Sequence, residues 1–469
     1  MASSNSLKIL QVCQVAPASD YVRTTELSLS FTFIDTIMLI LPPVGCIYFY
    51  KHTGLNPTLF NMEILPILKG SLSRTLVHFL PLAGRLTWPF FALKPVIRYA
   101  PTDSISLTIA ESNADFESLV GDEVREVSQH CDYVPELFTS RKLASIMSVQ
   151  ITLFPDKGFS IATNIQHSVV DGMGASLFMK AWAYTAKQTK KIDDSTFIFP
   201  DLQPELTPSF DRKCINRFYF SFLLKSLGLS GLAIKYIPRT LEIASNNDQM
   251  SKDLVQASFQ LSRGNIRKLK ENTAEDNEEF NFSTFVITCA YISVCMVKAR
   301  GGDGNRKVGI VFPADCRSRL DPPVPQNYFG NCIFLYETIS EAKDFMQENG
   351  VAVIAKKIYE MTERLKKGVF REARKSLVQL GNTERDVQQI YLLGSPRIMF
   401  YELDFGWGIP EKATIEAINW ESICGISNIN GFSMIGDRNG NGGVEVGVSL
   451  LRHEMEAFSS FFANGLHVT

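Results

Sequence analysis

Two strand patterns followed directly by a helix pattern, over residues 149–185, constrain the fold of this chain more than any other feature. Residues 149–154 and 159–166 alternate between apolar and polar side chains, with the turn sequence Pro-Asp-Lys-Gly between them. They predict a hairpin of half-buried strands. In residues 172–185 the apolar side chains share one helical face. Strand and helix patterns mix in this way along the chain, which predicts an α/β fold of mixed sheets and helices.

Proline marks the best candidate for a domain boundary. The chain has 469 residues, 45% of them hydrophobic, which is more than one ordinary core requires. Three prolines, at positions 200, 204 and 208, follow one another closely, and this density favours an extended crossover. We therefore predict two similar-sized domains, at residues 1–186 and 216–469, joined by a crossover linker at residues 187–215.

Shorter patterns predict further local structure. Residues 31–50 are largely apolar but are interrupted by Asp35 and by Pro42-Pro43. We interpret them as buried core, because a membrane span needs roughly 20 consecutive apolar residues. The remaining predictions are a strand over residues 9–15, a helix over 65–79, surface loops at 272–279 and 301–306, and a hairpin turn within the glycine-rich residues 439–447.

Composition argues against several classes of function. Lys and Arg (47) nearly balance Asp and Glu (49), so no overall charge favours a nucleic acid or an anionic membrane as partner. The nine cysteines form no CxxC pair and no secretory leader is visible at the N-terminus, which predicts reduced thiols in the cytosol. The six histidines lack metal-ligand spacing, so we expect no metal site.

His167 is the candidate for acid–base chemistry. It stands between the second predicted strand and the predicted helix, in the sequence His-Ser-Val-Val-Asp-Gly. Histidine is the usual proton acceptor near neutral pH. The sequence has no GxSxG elbow, phosphate-binding loop or strand-linked GxGxxG motif that would indicate another kind of active site. A lone HxxxD motif often arises by chance, so other motifs in the sequence must show whether His167 is catalytic.

Two further motifs supply that context. Residues 404–408 read Asp-Phe-Gly-Trp-Gly and residues 328–332 read Tyr-Phe-Gly-Asn-Cys. With HxxxD before them, in this order and separation, the chain resembles the plant BAHD acyltransferases from residue 9 to near residue 458. The second motif, with residues 315–323 before it, resembles the branch that acylates sugars of flavonoid, anthocyanin and other phenolic glycosides. Many members of that branch use malonyl-CoA.

The resemblance implies a coenzyme A-dependent acyltransferase fold with an active-site channel between its two domains. His167 would be the general base, and no covalent acyl-enzyme would form. Asp404 is predicted with His167 among the catalytic residues, although residues 404–408 are also expected to have a structural role. Asp171 would turn away from His167 and pair with an arginine, Arg317 first and Arg319 second.

The resemblance also assigns residues to the structure around the site and to coenzyme A. Gly406 would permit a tight turn, and Trp407 would be a large buried anchor. Lys270 would bind the phosphates of coenzyme A, and Ser283 and Thr284 would lie near its pantetheine arm. The basic helix that contains Lys270 could instead be a solvated face.

The expected function is transfer of an acyl group, with malonyl as the leading donor, from its coenzyme A thioester to a sugar hydroxyl of a phenolic or flavonoid glucoside. No cation follows Asp171 before Lys180, which disfavours a malonyl carboxylate, although Arg397 could replace it. Three alternatives stay open: a hydroxycinnamoyl donor, a non-catalytic small-molecule binding protein of the same fold, and thioester hydrolysis without an acceptor. We expect a cytosolic monomer with acyl-CoA as co-substrate, no permanently bound cofactor, and no nucleic-acid or membrane partner.

Overall fold

The computed structural model describes residues 7–18, 26–190, 201–218, 239–242, 253–273, 281–373, 387–416 and 429–467. The strands within these ranges are β1 Lys8–Val15, β2 Leu27–Ser30, β3 Val44–Lys51, β4 Arg85–Thr87, β5 Val96–Tyr99, β6 Ile105–Glu111, β7 Arg125–Glu126, β8 Leu143–Ser145, β9 Met147–Phe154, β10 Gly158–Ile165, β11 Leu254–Leu261, β12 Lys307–Asp315, β13 Ile333–Glu341, β14 Gln388–Gly394, β15 Lys412–Glu416, β16 Ile429–Gly436 and β17 Val444–Leu451. The longer helices are α1 Leu65–His78, α2 Gly172–Lys190, α3 Arg263–Asn272, α4 Thr284–Arg300, α5 Gly350–Lys366 and α6 Arg452–His467. Short α-helices span Phe33–Ile37, Pro57–Leu59, Leu80–Ala83, Phe116–Val120, Ser128–Cys131, Lys213–Asn216 and Ala342–Met346.

The strands form three sheets, and helices cover them. One sheet has the order β1-β6-β9-β10-β3-β15, the second β13-β12-β14-β16-β17-β11-β7, and the third β2-β5-β4-β8. Both large sheets are mixed, since β6 pairs with β9 and β12 with β14 in parallel, whereas most other pairs are antiparallel. The predicted α/β class is confirmed.

The two halves of the chain exchange strands between the large sheets. β15, from the C-terminal half, pairs with β3 in the first sheet, and β7, from the N-terminal half, pairs with β11 in the second. Separating the halves would therefore break backbone hydrogen bonds in both sheets. The domain ranges read from the sequence did not include this exchange, and they stay a prediction.

The predicted hairpin is present as β9 and β10, which pair antiparallel through the turn at residues 155–157. The expectation that its strands are half-buried is wrong, because every residue of β9 is buried. One face of β9 packs in the core that contains α1 and α2, while the other is covered by the segment that holds Phe116 and Tyr133. The polar residues on that second face are satisfied internally, as Gln150 Nε2 donates to Asp132 O at 3.1 Å.

The predicted helix after the hairpin is α2, which packs on α1, and Trp182 Nε1 donates to Leu68 O at 3.3 Å across that contact. α2 runs to Lys190, past residue 187, where the predicted linker begins. The helix continues because Lys187 and Lys190 bind a distant segment, described below. Residues 191–200 of the predicted linker lie outside the described ranges, and its later part contains the short helix Lys213–Asn216.

Most other local predictions are confirmed. β1, α1, the turn between β16 and β17, and the loop between α4 and β12 lie where the sequence patterns indicated. The loop expected at residues 272–279 lies mostly outside the described ranges. Residues 31–50 form buried elements, with Asp35 fully buried. No helix in the described parts of the chain is both long enough and apolar enough to span a membrane.

Candidate active site

His167 lies at the carboxyl end of β10, in the turn that leads into α2. The turn is closed by the bond from Val169 N to Gln166 O at 3.0 Å. The His167 side chain keeps partial access to solvent. Burial lowers the pKa of His167 from its ordinary value of 6.5, against smaller raising effects of its own backbone, Asp171 and Asn331. The imidazole is therefore neutral at neutral pH and able to accept a proton.

Asp171 faces away from solvent and binds Arg317, the partner expected first. Both side chains are fully buried, and Arg317 Nη1 and Nη2 reach Asp171 Oδ2 and Oδ1 at 2.9 and 3.0 Å. Asp171 also accepts from Gly174 N at 3.0 Å and Cys332 N at 2.9 Å. All of its contacts are thus structural, and they fasten the start of α2 to the Tyr-Phe-Gly-Asn-Cys segment.

Arg317 is the centre of this joint between Asp171 and the Tyr-Phe-Gly-Asn-Cys segment, because it binds other groups as well as Asp171. Its Nη1 donates to Asp315 Oδ1 at 3.0 Å, and its Nη2 donates to Tyr328 O at 3.1 Å. The nearby carboxylates raise the pKa of Arg317 despite the opposing effect of burial. Arg319, the second candidate, is exposed and donates to the Asp315 carbonyl instead.

Asp404 lies at the opposite end of α2 from His167. Asp404 Oδ2 accepts from Lys187 Nζ at 2.5 Å, and Gly172 and Lys187 are fifteen residues apart in α2, which is about 22 Å of helix. The structure therefore does not bring Asp404 to His167, and the expectation that both are catalytic receives no geometric support. The separation is longer than any direct side-chain contact allows.

Asp404 instead organises its own turn. Its Oδ1 accepts from Gly406 N at 2.8 Å and Gly408 N at 3.0 Å. Both glycines have positive φ angles, 106° and 92°, which other residues adopt only with strain. Burial raises the pKa of Asp404, but the bonds from Lys187 and the two glycine amides outweigh it and lower the pKa below its ordinary value.

The buried anchor of this motif is Phe405 and not Trp407. Phe405 is fully buried and packs edge-on against Trp182, with ring centroids 5.0 Å apart. Trp407 is half-buried, with Lys190 Nζ 4.6 Å from its ring centroid. Lys190 Nζ also donates to Gly406 O at 2.6 Å, so the Trp407 ring and the Gly406 carbonyl contact the same ammonium group.

The residues expected to bind coenzyme A lie on α3 and α4, which pack against each other. Lys270 is half-buried in the last turn of α3, whereas Arg267 and Lys268 are exposed. Ser283 is the N-cap of α4 and accepts from Val286 N at 3.2 Å, and Thr284 is the first residue of that helix. Ser283 keeps its hydroxyl hydrogen available to donate to a ligand.

The cysteines beside the site are unsuited to nucleophilic attack. Burial raises the pKa of Cys316 to about 12 and raises that of Cys332 well above its usual range. A thiol reacts as its thiolate, and neither residue forms one at neutral pH. The eight cysteines within the described ranges are free thiols, and Cys424 lies outside those ranges.

Comparison with known proteins shows the family. The profile described as the Transferase family matches residues 6–464. The chain belongs to this family, the BAHD acyltransferases. This BAHD acyltransferase is 35% identical to phenolic glucoside malonyltransferase 1 of Arabidopsis thaliana, over 98% of both chains. It is 34% identical to agmatine coumaroyltransferase of the same organism, over 97% of this chain and 98% of that protein.

A solved structure shows the same fold. Vinorine synthase matches with a TM-score of 0.67 at 20% identity, over 97% of this chain and 98% of that one. The expected family and coenzyme A-dependent acyltransferase fold are therefore confirmed. The chain is an enzyme that transfers acyl groups and uses acyl-CoA as co-substrate.

Sequence reasoning missed two polar residues of this BAHD acyltransferase that contact the His167 segment or its partner. Asn331 Nδ2 donates to the His167 carbonyl oxygen at 3.0 Å and to Asp35 Oδ1 at 3.0 Å. The sequence did carry a signal for Asp35, because an acid inside an apolar segment needs buried partners. Asn331 stood within a recognised motif, but nothing in the sequence indicated that it touches His167.

Proposed function

We propose that the protein transfers a malonyl group from malonyl-CoA to a sugar hydroxyl of a phenolic or flavonoid glucoside, such as an anthocyanin, with His167 as general base. The observation that carries the chemistry is a neutral, half-buried histidine held at the end of β10 beside the Asp171–Arg317 joint. The acceptor class is supported by near full-length similarity to a phenolic glucoside malonyltransferase.

In the proposed reaction, His167 removes the proton from the acceptor hydroxyl as its oxygen attacks the thioester carbonyl. The tetrahedral intermediate then collapses, the carbon–sulfur bond breaks, and the departing thiolate takes the proton back from the imidazolium. Acid–base help of this kind contributes roughly 100- to 10,000-fold in rate. No acyl-enzyme is needed, which agrees with the raised pKa of Cys316 and Cys332.

Asp171 and Arg317 hold the base in place in this proposal and do not carry protons. Each carboxylate oxygen of Asp171 accepts from one Arg317 nitrogen and one backbone amide, so neither is left to orient His167. For Asp404 we propose a structural role at the C-terminal end of α2, through Lys187 and the tight turn at Gly406.

For coenzyme A we propose that Lys270 binds a phosphate and that Ser283 and Thr284 bind the pantetheine arm. Ser283 and Thr284 begin a 17-residue helix, where free backbone amides favour acceptor groups. Lys270 lies on the helix packed against it. The test is Lys270→Met against the exposed neighbour Lys268→Met, compared through the KM for the donor.

The donor needs a cation for its free carboxylate, and we propose Arg397. A side chain at Gly172, the first residue of α2, would come within 2.8 Å of Ile398 Cδ1. Arg397 precedes that isoleucine and is exposed, so it stands close to the start of the HxxxD helix. Lys180, the first cation along α2, is bound to Glu402 at 3.0 Å, which makes Lys180→Gln the matched control for Arg397→Gln.

A hydroxycinnamoyl donor is the second candidate. Residues 172–177 carry no cation, which suits an uncharged aromatic acyl group. A coumaroyltransferase at 34% identity stands beside several malonyltransferases at 31–35%, so the similar proteins favour malonyl as donor. Competition between malonyl-CoA and p-coumaroyl-CoA for one acceptor, compared as kcat/KM, decides between them.

The function is tested with purified protein, a panel of acyl-CoA donors, and phenolic and flavonoid glucosides, with products identified by mass spectrometry. We expect a malonylated glucoside that requires both substrates. Release of free coenzyme A without an acceptor, at the rate seen with one, would show thioester hydrolysis instead. We also propose a cytosolic monomer without a permanently bound cofactor, nucleic-acid partner or membrane partner, checked by light scattering and cell fractionation.

A further inference from the structure

A second buried carboxylate, that of Asp35, is connected to His167 through the Asn331 side chain. Asp35, in the short helix Phe33–Ile37, is fully buried. Its Oδ2 accepts from Thr32 N and Oγ1, both at 2.8 Å, and from Arg212 Nη1 at 3.1 Å. Its Oδ1 accepts from Asn331 N at 3.2 Å and Nδ2 at 3.0 Å. Segments far apart in sequence therefore meet on one carboxylate.

The charge of Asp35 decides which way the Asn331 amide faces. An amide beside a carboxylate presents its NH₂ group, because its oxygen would be repelled. The second hydrogen of that NH₂ group goes to the His167 carbonyl oxygen at 3.0 Å. Both hydrogens are then used, and Asn331 Oδ1 must point elsewhere.

Asn331 and His167 each keep one buried polar atom without a hydrogen-bond partner. Within the described ranges, Asn331 Oδ1 and His167 Nδ1 are both buried without a hydrogen-bond partner. One is an acceptor, and the other becomes a donor when the neutral ring carries its proton on Nδ1. Leaving such atoms buried and unpaired is unfavourable. An Nδ1–H directed at Oδ1 would satisfy both and leave Nε2 with a free lone pair.

We propose that Asp35 is a positioning residue for His167, which acts by fixing the Asn331 amide so that Oδ1 accepts from His167 Nδ1–H and Nε2 is the base. The proposal rests on the proposed general-base role of His167. Asp171 does not orient the His167 ring, since its oxygens accept hydrogen bonds from Arg317, Gly174 and Cys332. Burial lowers the pKa of His167, and its own backbone, Asp171 and the Asn331 side chain, in that order, work in the opposite direction.

Arg212 compensates the negative charge of the buried Asp35 carboxylate. It is buried, and its Nη1 is shared between Asp35 Oδ2 at 3.1 Å and Tyr328 OH at 3.0 Å. Burial opposes the charge of Arg212, but Asp35 and Tyr328 outweigh that effect and raise its pKa. The Arg212–Asp35 ion pair therefore holds in place the carboxylate that the Asn331 amide contacts.

The test is Asp35→Asn, with Glu416→Gln as the matched control. Glu416 is also a buried acid, but it lies on β15 and its carboxylate binds His130 at 2.8 Å rather than Asn331 or Asp35. Both substitutions replace a carboxylate by an amide of the same shape. For Asp35→Asn we expect kcat to fall about 10- to 100-fold with donor KM within about twofold, whereas Glu416→Gln should lower stability and leave kcat within about twofold.

A spectroscopic readout separates positioning from general damage. Histidine-selective ¹⁵N labelling gives ring signals from six histidines, and loss of one pair in His167→Gln assigns the residue. We expect His167 to be the Nδ1–H tautomer in the wild type and a tautomer mixture in Asp35→Asn. In Glu416→Gln the His167 signals should not move.

The kcat and the His167 tautomer of Asp35→Asn together test the positioning role. A folded Asp35→Asn protein with unchanged kcat and unchanged His167 tautomer would overturn it. If that variant does not fold, Asn331→Ala, which leaves Asp35 bound to Thr32 and Arg212, gives the same two readouts and the same criterion. If the proposed base were wrong, His167→Ala would keep its turnover, while the tautomer measurement would still report whether Asp35 orients His167.

Discussion

Replacing Arg317 should destabilise the protein more than replacing Asp171, although the two residues form one ion pair. Replacing Arg317 by Leu leaves Asp171 buried with only two backbone amides, from Gly174 and Cys332, as donors. An uncompensated buried charge costs about 3–5 kcal/mol. Replacing Asp171 by Asn is milder, because Arg317 keeps Asp315 and a backbone carbonyl. We expect about 1.5–3 kcal/mol there, the range of a hydrogen bond to a charged group.

The assay is urea unfolding of the two single variants and the double variant. Domains are usually stable by about 5–15 kcal/mol, so the Arg317→Leu loss should also reduce soluble yield. The double variant should lose less than the sum of the single losses, because the pair is lost only once. The exposed pair Lys180–Glu402, at 3.0 Å, is the control and should contribute less than about 1 kcal/mol.

Two results would refute this reasoning. Additive losses in the double variant would show that Asp171 and Arg317 do not stabilise each other. Equal losses in the two single variants would show that Asp315 and the Tyr328 carbonyl do not retain Arg317. Either outcome would remove the reason for assigning this ion pair the role of holding His167 in place.

Three further predictions concern pH and coenzyme A. Because burial lowers the pKa of His167, the acidic limb of kcat/KM should have its midpoint below 6.5; a midpoint above that value would contradict a neutral buried base. Asp404→Asn should lower Tm at pH 7 and less so in acid, because a carboxyl whose folded pKa is lowered stabilises above its ordinary pKa and loses that contribution as pH falls; an equal loss at every pH would count against the Lys187 contact. Lys270→Met should raise donor KM several-fold with acceptor KM unchanged, whereas equal effects from Lys268→Met would place coenzyme A elsewhere.

Local sequence patterns predicted the structure around His167 well. The β9–β10 hairpin and the start of α2 are encoded by alternation and helical spacing within forty residues. The Asp171–Arg317 contact came from resemblance to a family, since the two residues are 146 positions apart. Spacing alone gives no distance between such residues.

The failures share one physical cause, which is contact between distant segments. Burial of both faces of β9 depends on a covering segment around Tyr133, and extension of α2 past Lys187 depends on Asp404. The separation of Asp404 from His167 likewise follows from the full length of α2, which the short sequence motifs do not indicate. Asp35 was visible only as a charge in an apolar segment, and its contact with Asn331 needed the fold.

The central claim is that His167 is the general base, and turnover by His167→Ala tests it most directly. The assay compares wild type and variant for product formation from malonyl-CoA and from p-coumaroyl-CoA with the same glucoside. Circular dichroism and Tm check that the variant is folded. The account predicts that a folded variant loses at least about 100-fold in kcat with either donor. A folded variant with turnover near that of the wild type would contradict it.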